Sequence, residues 1–320
     1  MTLEIIMLLS TAAVASLVSL TGLHLANRAA SPTSRVHLGL WSLAVVPVSL
    51  TVCTLSLFGG SSMENALCGD CWGGSITSLA LSFGMAILAL ALVAGLFRVI
   101  LLGYTLRPRL SPAPVHLQKC ADDLARRAGS RPVPVLLLSA EMPVAFTWGL
   151  VKPRLVLSSW MLDSLDPEEL EAALAHELAH ALGHDCRTIW VANLLRDATL
   201  FLPWTWQARR AVVTGKELLA DDTAVTLTGR PLALASAIAK VWQKALPGPS
   251  FSMGAAVQLS EAGTRLEMRI ERLLSRDDAV SGSGGRSEPL ALPSTVFRAV
   301  PYVGWLVAVS LALLVVCARV

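Results

Sequence analysis

The stretch Leu174-Ala175-His176-Glu177-Leu178-Ala179-His180-Ala181-Leu182 decides how the rest of the chain is read. It lies on a helix whose start is written just upstream, in Asp166-Pro167-Glu168-Glu169. Asp166 suits the N-cap, Pro167 the first helical position, and Glu169 stands three residues after the cap. The spacing predicts a helix running to about Leu182, with Gly183 ending or kinking it. Residues four apart on a helix face the same way, so His176 and His180 can offer two imidazoles to one metal ion. Glu177 lies one position on, beside the ion rather than on it. Zinc lowers the pKa of a bound water toward about 7, and a neighbouring carboxylate can take that water's proton. So short a motif also arises by chance, as two unrelated histidines on an exposed helix. The flanks speak against that: Ala172, Ala173, Leu174, Ala175, Leu178, Ala179, Ala181 and Leu182 are apolar. Imidazoles on a largely buried helix need partners.

A catalytic zinc typically keeps three protein ligands and one open position. Downstream stands Lys216-Glu217-Leu218-Leu219-Ala220-Asp221-Asp222. Glu217 and Asp221 are four apart and share a helical face. Glu217 is the expected third ligand, with Asp221 hydrogen-bonded to a ligand imidazole. A solvated acidic face is the plainer alternative. His184 continues the spacing from His180 and stays open as a replacement for Glu217, although Gly183 interrupts the helix. Asp185 either accepts from an imidazole or caps a helix end. His24, His37 and His116 have no companions and are given no role.

Outward from the motif, Val133 to Leu138 reads as a buried strand. Ala145-Phe146-Thr147-Trp148 and Arg154-Leu155-Val156-Leu157-Ser158 read as a strand pair. A small sheet therefore precedes the motif helix, and one of its edges could take an extended peptide by strand addition. Val115 to Ala128 has helical apolar spacing and a stop at Gly129. Residues 107 to 114, rich in proline, read as an extended linker. Pro231 to Leu246 and Ser260 to Leu274 read as further helices.

Hydrophobic residues make up 54% of the 320 positions and charged residues 15%, against about 25% charged in soluble domains. With a mean hydropathy of +0.60, this composition belongs to a membrane protein. A net charge of +3 is too small to suggest nucleic-acid binding. Apolar runs at about 3–26, 36–58 and 76–104, and a fourth at about 297–317, are each long enough to span a bilayer. The first has no basic n-region and is longer than a signal-peptide core, so it is expected to be a true span. Arg28 and Arg35 lie between the first two spans, Glu64 and Asp70 between the next two, and Arg98, Arg107, Arg109 and Lys119 after the third. Basic loops stay cytoplasmic. The expected topology therefore has both termini outside and the segment from 107 to 280 in the cytoplasm. Residues 281–294 follow as a flexible linker and 295–320 as a last span. Cys68-Gly69-Asp70-Cys71 falls outside, where a small disulfide is permitted. Thr188 to Trp206 is apolar around Asn193, Arg196 and Asp197. It reads as a helix packed in the domain or lying against the membrane rather than a fifth span, because a central Arg-Asp pair is costly in lipid. Trp204 and Trp206 suit an interface.

The region from Trp148 to Asp222 resembles the BlaR/MecR family of integral membrane zinc metallopeptidases. The likeness rests on Gly149-Leu150-Val151-Lys152-Pro153-Arg154-Leu155-Val156-Leu157, on Leu165 to Leu170, and on Leu174 to His180 with Asp185. It continues through Leu202-Pro203-Trp204 with Trp206, and Glu217-Leu218-Leu219-Ala220-Asp221. A more distant likeness is to HtpX- and Ste24-type membrane peptidases. The resemblance implies a mainly α protein: multi-pass transmembrane helices plus a cytoplasmic zincin-like α+β metallopeptidase domain with a small sheet. It implies one catalytic zinc ion on His176, His180 and Glu217, with Glu177 as base. Two departures stand out. Ala220 replaces a frequent cysteine, and no penicillin-binding sensor segment follows Val320, so antibiotic sensing is not expected. The expected partners are the lipid bilayer and a protein or peptide substrate, in a signalling pathway a transcriptional repressor. Degradation of damaged membrane proteins, and a zinc-binding receptor or scaffold without turnover, are the alternatives. The sequence leaves the oligomeric state open.

Overall fold

The computed structural model describes residues 2–65, 73–106, 109–199, 201–245 and 253–282. Cys68, Cys71, the linker at 283–294 and the expected fourth span lie outside the described residues. The described chain divides into two compact units. One holds Met1–Phe97 and Ala192–Val212, the other Arg98–Val191 and Val213–Arg286.

Helices α1 (Thr2–Arg28) and α2 (Pro32–Asn65) of the first unit, and α3 (Gly73–Leu106), whose residues from Arg98 onward belong to the second, contain apolar windows long enough to cross a membrane, at Ile6–Arg28, Pro32–Thr54 and Ser82–Thr105. At 1.5 Å per residue, 23 or 24 residues cover about 35 Å, enough for the hydrocarbon layer. Helices α1 and α2 pack closely. A Cβ at Gly22 would come within 2.7 Å of the Trp41 ring, so glycine is what permits the approach. Fully buried Ser19 and Ser42 exchange hydroxyl-to-carbonyl hydrogen bonds across the pair, at 2.7 and 2.6 Å. Such bonds satisfy polar groups where lipid offers no partner.

The segment expected as one helix from Thr188 to Trp206 is two. Helix α7 (Asp185–Ala198) stops, and α8 (Pro203–Thr228) starts on a proline. Pro203 disfavours helical backbone at Leu202 and starts the new helix at its first position. Asn193 accepts from Arg209, and the Arg196 guanidinium stacks on Trp206 at 4.5 Å. Contacts that close in this order mark an antiparallel hairpin. It belongs to the same unit as α1 and α2: the Trp204 indole N–H donates to the Ser19 hydroxyl at 3.1 Å, and Val212 packs on Gly39. The costly Arg196 is paired with Asp197.

The second unit is built on a four-stranded sheet in the order β1-β2-β4-β3. Strands β2 (Val135–Leu138), β3 (Ala145–Trp148) and β4 (Arg154–Ser158) match the sequence expectation. Strand β1 (Leu110–Pro112) does not: the proline-rich linker pairs antiparallel with β2, Leu110 opposite Leu138. Proline is tolerated there because β1 is an edge. Strand β2 runs parallel to β4, and β3 pairs antiparallel with β4 and leaves its other side open. Helix α4 (Val115–Arg127) buries Leu117, Ala121 and Leu124. After the short α5 (Ser159–Ser164), α6 (Pro167–Leu182) opens with a complete capping box. The Asp166 carboxylate accepts from the backbone N–H of Glu168 and Glu169 at 3.0 and 2.9 Å, and Glu169 accepts from the Asp166 N–H at 3.0 Å. Ala172, Leu174, Ala175 and Leu178 of α6 are fully buried against the sheet and neighbouring helices, which places the histidine-bearing turns against β3. Helices α9 (Pro231–Ala245) and α10 (Met253–Gly282) complete the unit. From α9, Ser236 and Lys240 each contact the buried Glu169 carboxylate at 2.6 Å.

Candidate metal centre

Four residues of α6 bring the His176 and His180 rings edge to face, with centroids 4.7 Å apart and Nε2 atoms 3.1 Å apart. Glu217, from α8, reaches the same point. Its Oε2 lies 3.5 Å from His176 Nε2 and its Oε1 3.7 Å from His180 Nε2. The three residues form a cluster whose ligand atoms all lie within 4.8 Å of one another. Metal–ligand bonds of about 2.0–2.1 Å in a tetrahedron require ligand-to-ligand edges of about 3.3 Å, close to those distances.

The protons on the imidazoles make the stronger test. His180 Nδ1 lies 2.7 Å from Asp185 Oδ2. His176 Nδ1 lies 3.0 Å from Asp221 Oδ1, at an angle too bent for a well-formed hydrogen bond. Ionised carboxylates only accept, so they hold the ring protons at Nδ1 and leave lone pairs on both Nε2 atoms. In the neutral rings, two such lone pairs and a carboxylate converge on one point, the two Nε2 atoms 3.1 Å apart. A cation is what that arrangement fits, and nitrogen with carboxylate oxygen is a donor set suited to zinc.

Without a metal, the same carboxylates favour a proton on His176, and a bound ion would take that proton's place. Burial alone would lower the pKa of His176, but the Asp221 and Glu217 carboxylates beside it outweigh burial and push it up to about 10. Burial opposes the charge on Glu217 too, yet contacts with His176 and Arg269 hold its carboxyl well below the usual range. Asp221 is likewise held down, against burial, by His176 and Arg269. Glu177 goes the other way: it is 6% exposed, and burial pushes its carboxyl up. The Thr147 hydroxyl, from β3, donates to the Glu177 carbonyl at 2.7 Å and lies 3.2 Å from its Oε2. A raised carboxyl held next to a metal position is equipped to take and return a proton.

The expected set comes together: His176, His180 and Glu217 at the centre, Glu177 beside them, Asp221 and Asp185 on the ring nitrogens. His184 does not join the cluster. It occupies the turn between α6 and α7 with φ at +51°, and its backbone N–H bonds the Ala181 carbonyl. Three contributors were given no role from the sequence. Thr147 is one. Lys216 is another, its ammonium 2.6 Å from Asp185 Oδ1. The third is Arg269 of α10, which meets both Asp221 and Glu217. The one available signal was a basic stripe on α10, Arg265, Arg269, Arg272 and Arg276, with the last two on Asp222. Glu217 and Arg269 also line an open cleft with Val213, Trp242, Leu266 and Met268.

The site is thus a candidate single-metal centre with an adjoining base, carried by a chain with three membrane-capable helices among the described residues. The chain belongs to the BlaR1 peptidase M56 family, whose model matches residues 75–261. Among curated proteins it is similar to Protease HtpX homolog 1 of Streptomyces coelicolor, 35% identical over 162 residues, covering 39% of this chain and 53% of that protein. It is similar to the Protease HtpX homolog of Methanopyrus kandleri, 27% identical over 209 residues, covering 49% and 65%. A third is the Protease HtpX homolog of Methanothermobacter thermautotrophicus, 30% identical over 182 residues, covering 45% and 70%. The chain thus spans 53–70% of the length of these relatives. The crystal structure of S. mikatae Ste24p aligns with a TM-score of 0.40 at 17% identity, over 81% of this chain and 80% of that one.

Proposed function

We propose that the protein is a membrane-embedded zinc endopeptidase that cleaves a protein substrate. One observation carries this reading: ligand atoms of His176, His180 and Glu217 converge within 4.8 Å of one another, beside the buried Glu177. Zinc, when bound there, supplies Lewis acidity that activates water and polarises a peptide carbonyl. The chain's own residues do the rest. Glu177 takes the water's proton at its carboxylate and returns it to the departing amine. Thr147 fixes the backbone and carboxylate of Glu177. Asp185 and Asp221 orient the imidazoles through Nδ1. The open side of β3 offers main-chain groups to an extended peptide. The basic residues after the third span support a cytoplasmic setting for the peptidase segment, with the N-terminus outside.

Two substrate classes fit: a transcriptional repressor in a signalling pathway, or damaged membrane proteins. The named HtpX proteases among the relatives favour the second. The test is Glu177→Gln purified with zinc still bound. Loss of casein cleavage by a protein of unchanged metal content is the expected result, and undiminished cleavage would sink the mechanism. Cellular protein levels in wild type and Glu177→Gln then separate the substrates: one accumulating regulator indicates signalling, many membrane proteins indicate quality control. Stoichiometric zinc with no accumulating protein would favour a binding role without turnover.

A further inference from the structure

Arg269 stands 48 residues from Asp221 in sequence, and each of its three guanidinium nitrogens meets a carboxylate of α8, Asp221 or Glu217. Nε donates to Asp221 Oδ2 at 2.8 Å and Nη2 to Asp221 Oδ1 at 2.7 Å. The remaining nitrogen, Nη1, lies 2.9 Å from Glu217 Oε2. Both oxygens of Asp221 are therefore occupied, Oδ1 also facing His176 Nδ1. Of the Glu217 oxygens, Oε2 takes the Arg269 contact while Oε1 faces His180 Nε2 at 3.7 Å.

The physical need is plain. Glu217 and Asp221 are one helical turn apart, both ionised, with the Asp221 side chain only 2% exposed. Two carboxylates so placed repel each other and are poorly hydrated. A divalent ion nearby would attract every free oxygen, and bidentate or extra carboxylate ligation would fill the position a substrate or water needs. A planar fork of five N–H donors can pair both oxygens of Asp221 side-on and still reach Glu217; an ammonium on a flexible stem has three donors and no such bidentate geometry.

We propose that Arg269 is a positioning residue that keeps Glu217 to one metal-binding oxygen and Asp221 off the metal, so that a coordination position stays open. This rests on the metal-centre reading of His176, His180 and Glu217. It differs from a simple tie between α10 and α8, which would support the fold and leave coordination alone.

The test uses the full chain in detergent with cobalt(II) in place of zinc. Visible absorption by cobalt(II) is strong in a tetrahedral site and weak in a higher-coordinate one. Wild type should give the strong spectrum. Arg269→Gln and Arg269→Lys should still bind one cobalt each but give a weaker, shifted spectrum. With zinc, casein cleavage should fall about 10- to 100-fold, the range for residues that support metal ligands, in kcat more than in KM. Arg269→Lys retains the positive charge, so it decides the matter if Arg269→Gln does not fold. Loaded variants with the wild-type spectrum and kcat would overturn the proposal while leaving the metal centre intact. A wild-type protein that binds neither cobalt nor zinc would overturn both.

Discussion

Asp185→Asn probes how the metal centre is held, because the change keeps shape and removes charge. The Asp185 carboxylate is 4% exposed. Oδ2 lies 2.7 Å from His180 Nδ1, and Oδ1 lies 2.6 Å from the Lys216 ammonium, off the angle of an ideal hydrogen bond. The amide oxygen of asparagine can still accept from Nδ1–H, so the ring stays oriented. What is lost is the negative charge that makes the imidazole a better donor to a cation. Lys216 is also left with its positive charge near the metal position. Removing a partner of this kind costs about 10- to 100-fold in metal affinity, or about 1.4–2.7 kcal/mol. Competition with a zinc chelator should show a Kd raised by that factor. Zinc-dependent thermal stabilisation at fixed excess zinc should shrink by the same free energy, because it scales as the logarithm of zinc over Kd. A Kd within about twofold of wild type, alongside loss of zinc in His180→Ala, would refute the reasoning that the charge on Asp185 acts through His180.

The metal-free protein should also show a pH signature. His176 is raised to about 10 from 6.5, so its contribution to stability is complete below about pH 6.5 and is lost as pH rises through about 10. The melting temperature of chelated protein should therefore fall between pH 7 and 10, and Asp221→Asn should flatten that fall; a chelated protein that gains stability over this range would contradict it. For the hairpin, Ser19 lies about 14 Å along α1 from Arg28 at 1.5 Å per residue, well inside the apolar window that Trp204 contacts. Phe201, 61% exposed at the tip, should thus face hydrocarbon. Phe201→Cys in vesicles should resist a membrane-impermeant maleimide until detergent is added, and rapid labelling of intact vesicles would place the tip in water.

Much of the fold was determined by sequence alone, and the reasons are local. The spans are continuous apolar runs, and α6 announces itself through Asp166, Pro167 and Glu169 within a single turn. The geometry of His176 with His180, and of Glu217 with Asp221, follows from the helical repeat. That the two pairs meet is a tertiary fact, but metal chemistry asks for a third ligand, so the pairing was open to inference. Other features depended on contacts that leave no periodic trace. Residues 110–112 form a strand only because β2 presents an unpaired edge. The new helix start was signalled by Pro203, but the hairpin's place against Ser19 and Gly39 depends on partners far away in sequence. Thr147, Lys216 and Arg269 are ordinary residues on a strand and two helices, and only the packing of those elements gives them carboxylates to hold. The sequence determined which atoms could bind a metal; the tertiary structure decided how their charges are balanced, because side chains distant in sequence must come within hydrogen-bonding range before a buried carboxylate can stay ionised.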